Sequence, residues 1–340
     1  MSELLVIVTR DKIIDIFHSH VVLNVMISDY YSVNQYVNCV KCLQKKLIKI
    51  ILFIILLLVS IDFFRVYGCF NYLHISEDAI NSVLYKAVNP SILNKDRPNC
   101  TYNQVLKSKE SIHAWVVRRN YDDFDAEGIA DGEYSPEHCN PLFSVAILVT
   151  YRNRQNHLDI FFPYMHNFLR KQNIHYKIYL IEQQDGNPFN KGLLYNVGAR
   201  KALTDGFPCL ILHDIDLLPL DASNLYACTT DPRHFSASID KFRFVLLYEW
   251  LIGGVLSIRT DQYVDLNGFS NRFLKWGAED DDLYMRMAEQ NIKMNGDRRK
   301  LLVTNRNETS AVRKQDGLRG AHAHVRKVNQ RLFTHVVVQT

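Results

Sequence analysis

Four consecutive carboxylates, Glu279, Asp280, Asp281 and Asp282, follow Trp276, Gly277 and Ala278. Adjacent carboxylates repel one another and are costly to crowd together. Such a run is either a solvated helix start, where acids complement the dipole, or a set of acids that holds polar ligands and takes up a proton. The apolar plate of Trp276 and the small residues after it favour the second reading. Sugar faces and sugar hydroxyls ask for that combination. A second acidic pair, Asp214 and Asp216, flanks Ile215 just after the apolar run CLILH (209–213). Alternate residues of an extended chain face the same way. Both carboxylates are therefore expected to point at one site at a strand's carboxyl end, with Ile215 packed behind them. Carboxylate oxygens there suit a hard divalent cation that keeps positions open for phosphate. An Asp-rich turn is the plain alternative.

Three further stretches carry possible ligand groups. Arg152 and Arg154 follow the apolar run FSVAILVT (143–150) and can grip phosphate or a nucleoside bidentately. A solvated loop is the competing reading. Phe189 offers a face for a base such as uracil, and Lys191 a cation for phosphate near a helix N-terminus. Gly253 and Gly254 permit close backbone approach or a hinge, or simply a tight turn.

These residues need a scaffold. Residues 143–150, 176–182 and 209–213 read as buried strands, and 157–171 and 191–202 as helices. Strand and helix alternate, which implies an α/β fold with a parallel sheet and right-handed crossovers. Ligands collect at the carboxyl ends of strands in such sheets. The residues from Gly68 to about Asn140, broken by prolines, read as a stem. Leu47 to Phe64 is apolar apart from Lys49, Ser60 and Asp62. As a helix its 18 residues rise about 27 Å, enough to cross a bilayer. Lysines at 41, 45, 46 and 49 face only Arg65 across it, which places the N-terminus in the cytosol and the rest in a lumen. A buried core helix is the alternative, but it would show a polar face.

The 340 residues carry a net charge of +4 with 22% charged residues and no basic stripe with interleaved aromatics, which argues against a nucleic-acid partner. Of seven cysteines, Cys39 and Cys42 precede the apolar segment, Cys69 sits just beyond it, and Cys100, Cys139, Cys209 and Cys228 make an even set further along. Two disulfides suit a lumenal domain, with the connectivity open. The sequons at Asn99 and Asn307 point the same way.

Taken together, YRNRQNHL (151–158), FNKGLLYNVG (189–198), HDIDLLP (213–219), PRHFSASIDKF (232–242), GGV (253–255), NGFSNRF (267–273) and WGAEDDD (276–282) resemble the β-1,4-galactosyltransferase family, over about Asp131 to Asn295. The resemblance implies a GT-A type, Rossmann-like α/β glycosyltransferase domain behind a single N-terminal transmembrane helix, in the Golgi membrane with a lumenal catalytic domain. It implies Mn2+ and a UDP-sugar at the D-x-D, with Asp216 as the metal ligand. Arg152, Arg154, Phe189, Lys191, Asp214, Ile215 and Leu251 would contact the donor. Asp280 would be the base that deprotonates the acceptor hydroxyl. Trp276, Gly254, Glu279 and Asp281 would hold a terminal N-acetylglucosamine. The implied disulfides are Cys100–Cys139 and Cys209–Cys228.

The chain departs from the family pattern in three places. Galactose-transferring members carry Tyr where Leu251 stands. An aliphatic residue there accompanies N-acetylgalactosamine transfer in similar invertebrate enzymes, since it leaves room for the 2-acetamido group. UDP-N-acetylgalactosamine is thus expected beside UDP-galactose as donor. The loop before the acids lacks two of the family's glycines. No Met-x-x-His metal-ligand segment stands near Arg306 to Thr309, where His322 and His324 are the only nearby substitutes. A catalytically impaired relative that binds UDP-sugar or glycan without turnover is the alternative. The expected organisation is a cytoplasmic segment (1–46), a membrane anchor (47–64), a stem (65–130), the catalytic domain (131–295) and a divergent tail (296–340).

Overall fold

The computed structural model describes residues 40–63, 77–108, 124–242, 244–248, 250–275, 277–292 and 316–340. The chain divides into two units, residues 1–68 and 69–340. In the first, residues 40–63 are one continuous helix whose apolar side chains are exposed, Leu56 and Phe53 among them. Among the described residues, however, no helix is long and apolar enough to cross a membrane. Phe64, the last residue of the expected span, lies outside the described residues.

The second unit is built on one mixed sheet. Its centre is β2 (Ser144–Tyr151), with β3 (His175–Gln183) on one side and β4 (Cys209–Asp214) on the other, all parallel. Every residue of β2 is buried. A strand covered on both faces has no use for polar alternation, which is why this stretch reads as a continuous apolar run. Val145, Ile147 and Val149 face one core, with Phe161, Phe162, Met165, Phe168 and Leu169 of helix α1 (Gln155–Arg170). Ala146 and Leu148 face the other, with Leu193, Leu194 and Val197 of α2 (Lys191–Thr204). The two-residue period of the strand assigns alternate side chains to the two layers. Gly198 lets α2 lie directly on the sheet, since a Cβ there would press into Ile181.

The expected all-parallel arrangement holds only for these strands and one more. The sheet runs β5 (Arg233–His234), β6 (Val255–Arg259), β4, β2, β3, β8 (Thr334–Gln339), β7 (His324–Asn329). β6 (Val255–Arg259) pairs antiparallel with β4, and β5 (Arg233–His234) antiparallel with β6. Two-residue β1 (Glu133–Tyr134) pairs antiparallel with β3. The periodicity of β6 is indistinguishable from that of a parallel strand. Only its hydrogen-bonded neighbour sets its direction.

The stretch after Asn295 is no loose tail where it is described. β7 (His324–Asn329) and β8 (Thr334–Gln339) form a hairpin, and β8 lies parallel to β3. Val336, Val337 and Val338 are buried. Asp316 is buried too, and accepts from the Asn271 backbone N–H at 2.8 Å. Among the described residues the disulfides are Cys100–Cys139 and Cys209–Cys228, the pairing that the family resemblance implied.

Candidate active site

The site lies where the parallel strands end. α3 (Thr260–Asp265) follows β6, and α4 (Glu279–Glu289) brings the acidic run to the same end of the sheet. A cavity of about 410 Å³ is lined by Thr150, Arg152, Arg154, Phe189, Lys191, Asp214, Ile215, Asp216 and Lys275. Every expected donor residue except Leu251 is among them. A small adjoining cavity is lined by Lys191, Tyr195, Ile252, Gly253, Gly254, Glu279 and Asp280, among others. Lys191 belongs to both.

The D-x-D is not the extended segment that its spacing predicted. β4 ends at Asp214, and Ile215 and Asp216 form a turn closed by the Leu217 N–H on the Asp214 carbonyl at 3.3 Å. Both carboxylates still line one cavity, because the turn curls around it, and Ile215 is buried as expected. The Asp214 N–H bonds the Gly254 carbonyl at 2.9 Å, which fixes the D-x-D against the paired glycines. Gly254 sits at φ +96°, a left-handed conformation that glycine takes without strain.

Cations neutralise the acids. Lys191 Nζ lies 2.7 Å from Asp214 Oδ1 and 3.7 Å from Glu279 Oε1. The Tyr195 hydroxyl donates to the same Asp214 oxygen at 3.2 Å. Burial pulls the Lys191 ammonium down, but Asp214, Glu279 and Asp280 outweigh it and hold it above the ordinary lysine value. Arg154 Nη1 donates to Asp216 Oδ2 at 3.0 Å, with both side chains about half exposed. Arg152 is more constrained. Its guanidinium donates to the carbonyls of Asp185 at 2.9 Å and Asn187 at 2.8 Å, and its carbon lies 5.7 Å from the centre of the Phe189 ring. It therefore shapes the loop carrying Phe189 as well as lining the cavity.

The acidic run opens α4, as the helix-start reading expected. Glu279 and Asp280 face the small cavity. A Cβ on Gly253 would collide with the Asp280 carboxylate and force it to shift. The Gly253 carbonyl is pinned by His234 Nε2 at 2.8 Å and Ser236 Oγ at 2.9 Å. Asp281 is pushed up to about 6 by burial and by its neighbours Asp280 and Glu279, against a hydrogen bond from Tyr248 that lowers it. Its Oδ1 is buried without a partner. Asp282 is structural, since it accepts from Arg286 Nε at 2.7 Å inside the core. Leu251 is half-buried, and its N–H donates to the Tyr248 carbonyl at 3.2 Å. Its neighbour Ile252, not Leu251, lines the small cavity. Trp276 lies outside the described residues, as do Asn307 and the stretch expected to hold a Met-x-x-His segment. His322 and His324 are exposed, and His324 begins β7.

Among the described residues no group of three or more His, Cys, Asp or Glu side chains is placed to hold a metal ion. The residues fit a cation held differently. Half-exposed Asp216 offers one carboxylate beside cations suited to phosphate, the donor set of a metal shared with a ligand's phosphates rather than caged by protein. Sequence reasoning missed Thr150, Lys275 and Tyr195. Lys275 arrives from a distant loop, and Tyr195 stands one helical turn after Lys191.

The strand-end cleft gathers two arginines, two lysines, a D-x-D and an acidic helix start, an arrangement in keeping with the resemblance read from the sequence. The family models agree. The N-terminal region of glycosyl transferase group 7 matches residues 98–229, and the N-terminal domain of galactosyltransferase matches residues 233–308. β-1,4-Galactosyltransferase 6 of Rattus norvegicus is 42% identical over 164 residues, covering 48% of this chain and 43% of the relative. β-1,4-Galactosyltransferase 2 of Mus musculus is 40% identical over 165 residues, covering 48% and 45%. The chain belongs to the β-1,4-galactosyltransferase family. It spans less than half the length of these curated relatives. A solved structure of the catalytic domain of Drosophila β-1,4-galactosyltransferase 7 with xylobiose aligns at 26% identity and a TM-score of 0.47, over 58% of this chain and 93% of that one.

Proposed function

We propose that this chain is an inverting β-1,4-glycosyltransferase of GT-A type. It moves N-acetylgalactosamine or galactose from a UDP-sugar to a terminal N-acetylglucosamine of a glycoprotein or glycolipid. The carrying observation is Lys191. Its ammonium lies between Asp214 of the D-x-D and Glu279 of the acidic run, so donor and acceptor groups share one cleft.

The residues divide the work. Phe189 and Arg152 receive the base, while Arg154 and Lys191 turn from their carboxylates to the diphosphate. Asp216, freed from Arg154, would hold Mn2+, which supplies charge stabilisation to the departing diphosphate. Asp280 accepts the proton of the attacking acceptor hydroxyl. Glu279 and Asp281 hold the acceptor's other hydroxyls beside the Gly253–Gly254 backbone, with Trp276 as an apolar plate. Attack in line on the anomeric carbon inverts it, so one base suffices. An aliphatic Leu251 favours the larger 2-acetamido donor. The apolar run from Leu47 to Phe64 with the lysines before it, and the disulfides, support a lumenal, membrane-anchored Golgi enzyme.

The test is manganese-dependent transfer to a free N-acetylglucosaminide, with both donors compared. Asp216→Asn is expected to abolish transfer, and the 2-acetamido donor to turn over faster. UDP binding without product in the unaltered chain would replace the reading with a non-catalytic relative. A clear galactose preference would remove the Leu251 argument.

A further inference from the structure

The D-x-D turn rests on a buried pair that no part of the mechanism above uses. His213, the last strand residue before Asp214, is fully buried, as is Tyr226. His213 Nδ1 lies 2.8 Å from the Asp214 carbonyl oxygen, and Nε2 lies 3.0 Å from the Tyr226 hydroxyl. A carbonyl only accepts, so Nδ1 must carry the hydrogen. In the neutral ring Nε2 is then the acceptor, and the Tyr226 hydroxyl donates to it. The ring is held from the side by Phe161, edge to face at 5.1 Å. Tyr226 is itself fixed, since its N–H donates to Gln172 Oε1 at 2.9 Å. Two residues on, Cys228 is tied to Cys209, the first residue of the strand that His213 nearly ends.

We infer that His213 and Tyr226 are positioning residues for the donor site. They act by clamping the Asp214 peptide in the orientation that aims Asp214 and Asp216 into one cavity. The clamp is two-sided. The N–H of the peptide before the Asp214 side chain goes to Gly254, while the carbonyl of the peptide after it takes both the His213 Nδ1–H and the Leu217 N–H. The clamp matters most when a ligand binds. Lys191 and Arg154 then leave the two carboxylates for phosphate, and side-chain ion pairs no longer hold the turn. A backbone fixed from beneath keeps the carboxylates preorganised at that moment. This role rests on the UDP-sugar reading above.

The test uses the full chain, with UDP and Mn2+ as the probe. His213→Leu removes the N–H donor. It is expected to weaken UDP binding in titration calorimetry about tenfold, the worth of one buried hydrogen bond. Donor KM should rise while acceptor KM stays unchanged. His213→Asn brings an amide N–H to the Nδ1 position and is expected to restore most of the loss, which a purely packing role would not allow. Tyr226→Phe removes a single hydroxyl and serves if the leucine variant fails to fold. It is expected to weaken UDP binding several-fold by leaving Nε2 without its donor, while the Asp214 carbonyl keeps the hydrogen on Nδ1, read by nitrogen-15 NMR of the imidazole. The inference is overturned if His213 in the unaltered protein is an Nε2–H tautomer. It is equally overturned if a folded Tyr226→Phe or His213→Leu binds UDP as the unaltered chain does. An unaltered chain that binds no UDP instead overturns the donor-site reading, and this role with it.

Discussion

Lys191 is the most informative residue to remove, because it joins the two halves of the site. Lys191→Met keeps the length and apolar stem of the side chain and deletes the charge. Asp214 and Glu279 then lose their shared cation, with Glu279 only 7% exposed in its side chain. Breaking one partner of a buried pair costs about 3–5 kcal/mol. Asp214 is 26% exposed, so water recovers part of that, and a loss of about 2–3 kcal/mol is expected. For a unit of this size that lowers Tm by roughly 4–5 °C. The pH dependence follows from the sign of the shifts. Lys191 is raised above its ordinary value of 10.5. Its stabilisation is therefore fully present below that value and is lost only as pH rises through the higher folded-state value. UDP affinity should fall by roughly 10- to 100-fold, since a charged hydrogen bond to phosphate is worth about 1.5–3 kcal/mol. Thermal melts from pH 4 to 8 and calorimetry with UDP supply the measurements. A variant within about 0.5 kcal/mol of the unaltered chain, the ordinary range for surface substitutions, would refute the joint-cleft argument.

Two further outcomes are expected. Gly253→Ala places a methyl group against the Asp280 carboxylate and should cut kcat at least tenfold while UDP affinity holds; unchanged kcat would remove Asp280 as the base. Glu133 is held down at about 2 chiefly by its hydrogen bond with His175, burial opposing and Lys177 assisting. Its contribution is present above the ordinary value of 4.5 and lost as pH falls toward 2, so Glu133→Gln should flatten the acid limb of the melting curve, and an unchanged limb would show that this cluster does not govern it.

Most of the scaffold was legible in the chain. The strands at 144–151, 175–183 and 209–214 and the helices at 155–170 and 191–204 fall within one or two residues of their predicted bounds. Their signals are local: runs without polar alternation for buried strands, and a helical period for α1. The end of the chain was not legible. β8 reads as an isolated valine run, and only its pairing with β3 makes it part of the sheet. The Arg286–Asp282 pair and buried Asp316 were hidden too, because charged residues in sequence read as solvated.

The site divides in the same way. Sequence alone picked out the D-x-D, the arginines, Phe189, Lys191 and the acidic run, because unlike residue types at short spacing state their chemistry directly. Which acid of the run faces the cleft was a matter for the tertiary structure. Glu279 and Asp280 line it and Asp282 turns to Arg286, since the 100° step of a helix separates neighbours that sequence leaves equivalent. The turn at Ile215 and the His213–Tyr226 support beneath it depend on contacts across 13 residues and a disulfide. Local spacing carries no information about such closures, because the groups that meet are set by how the layers pack.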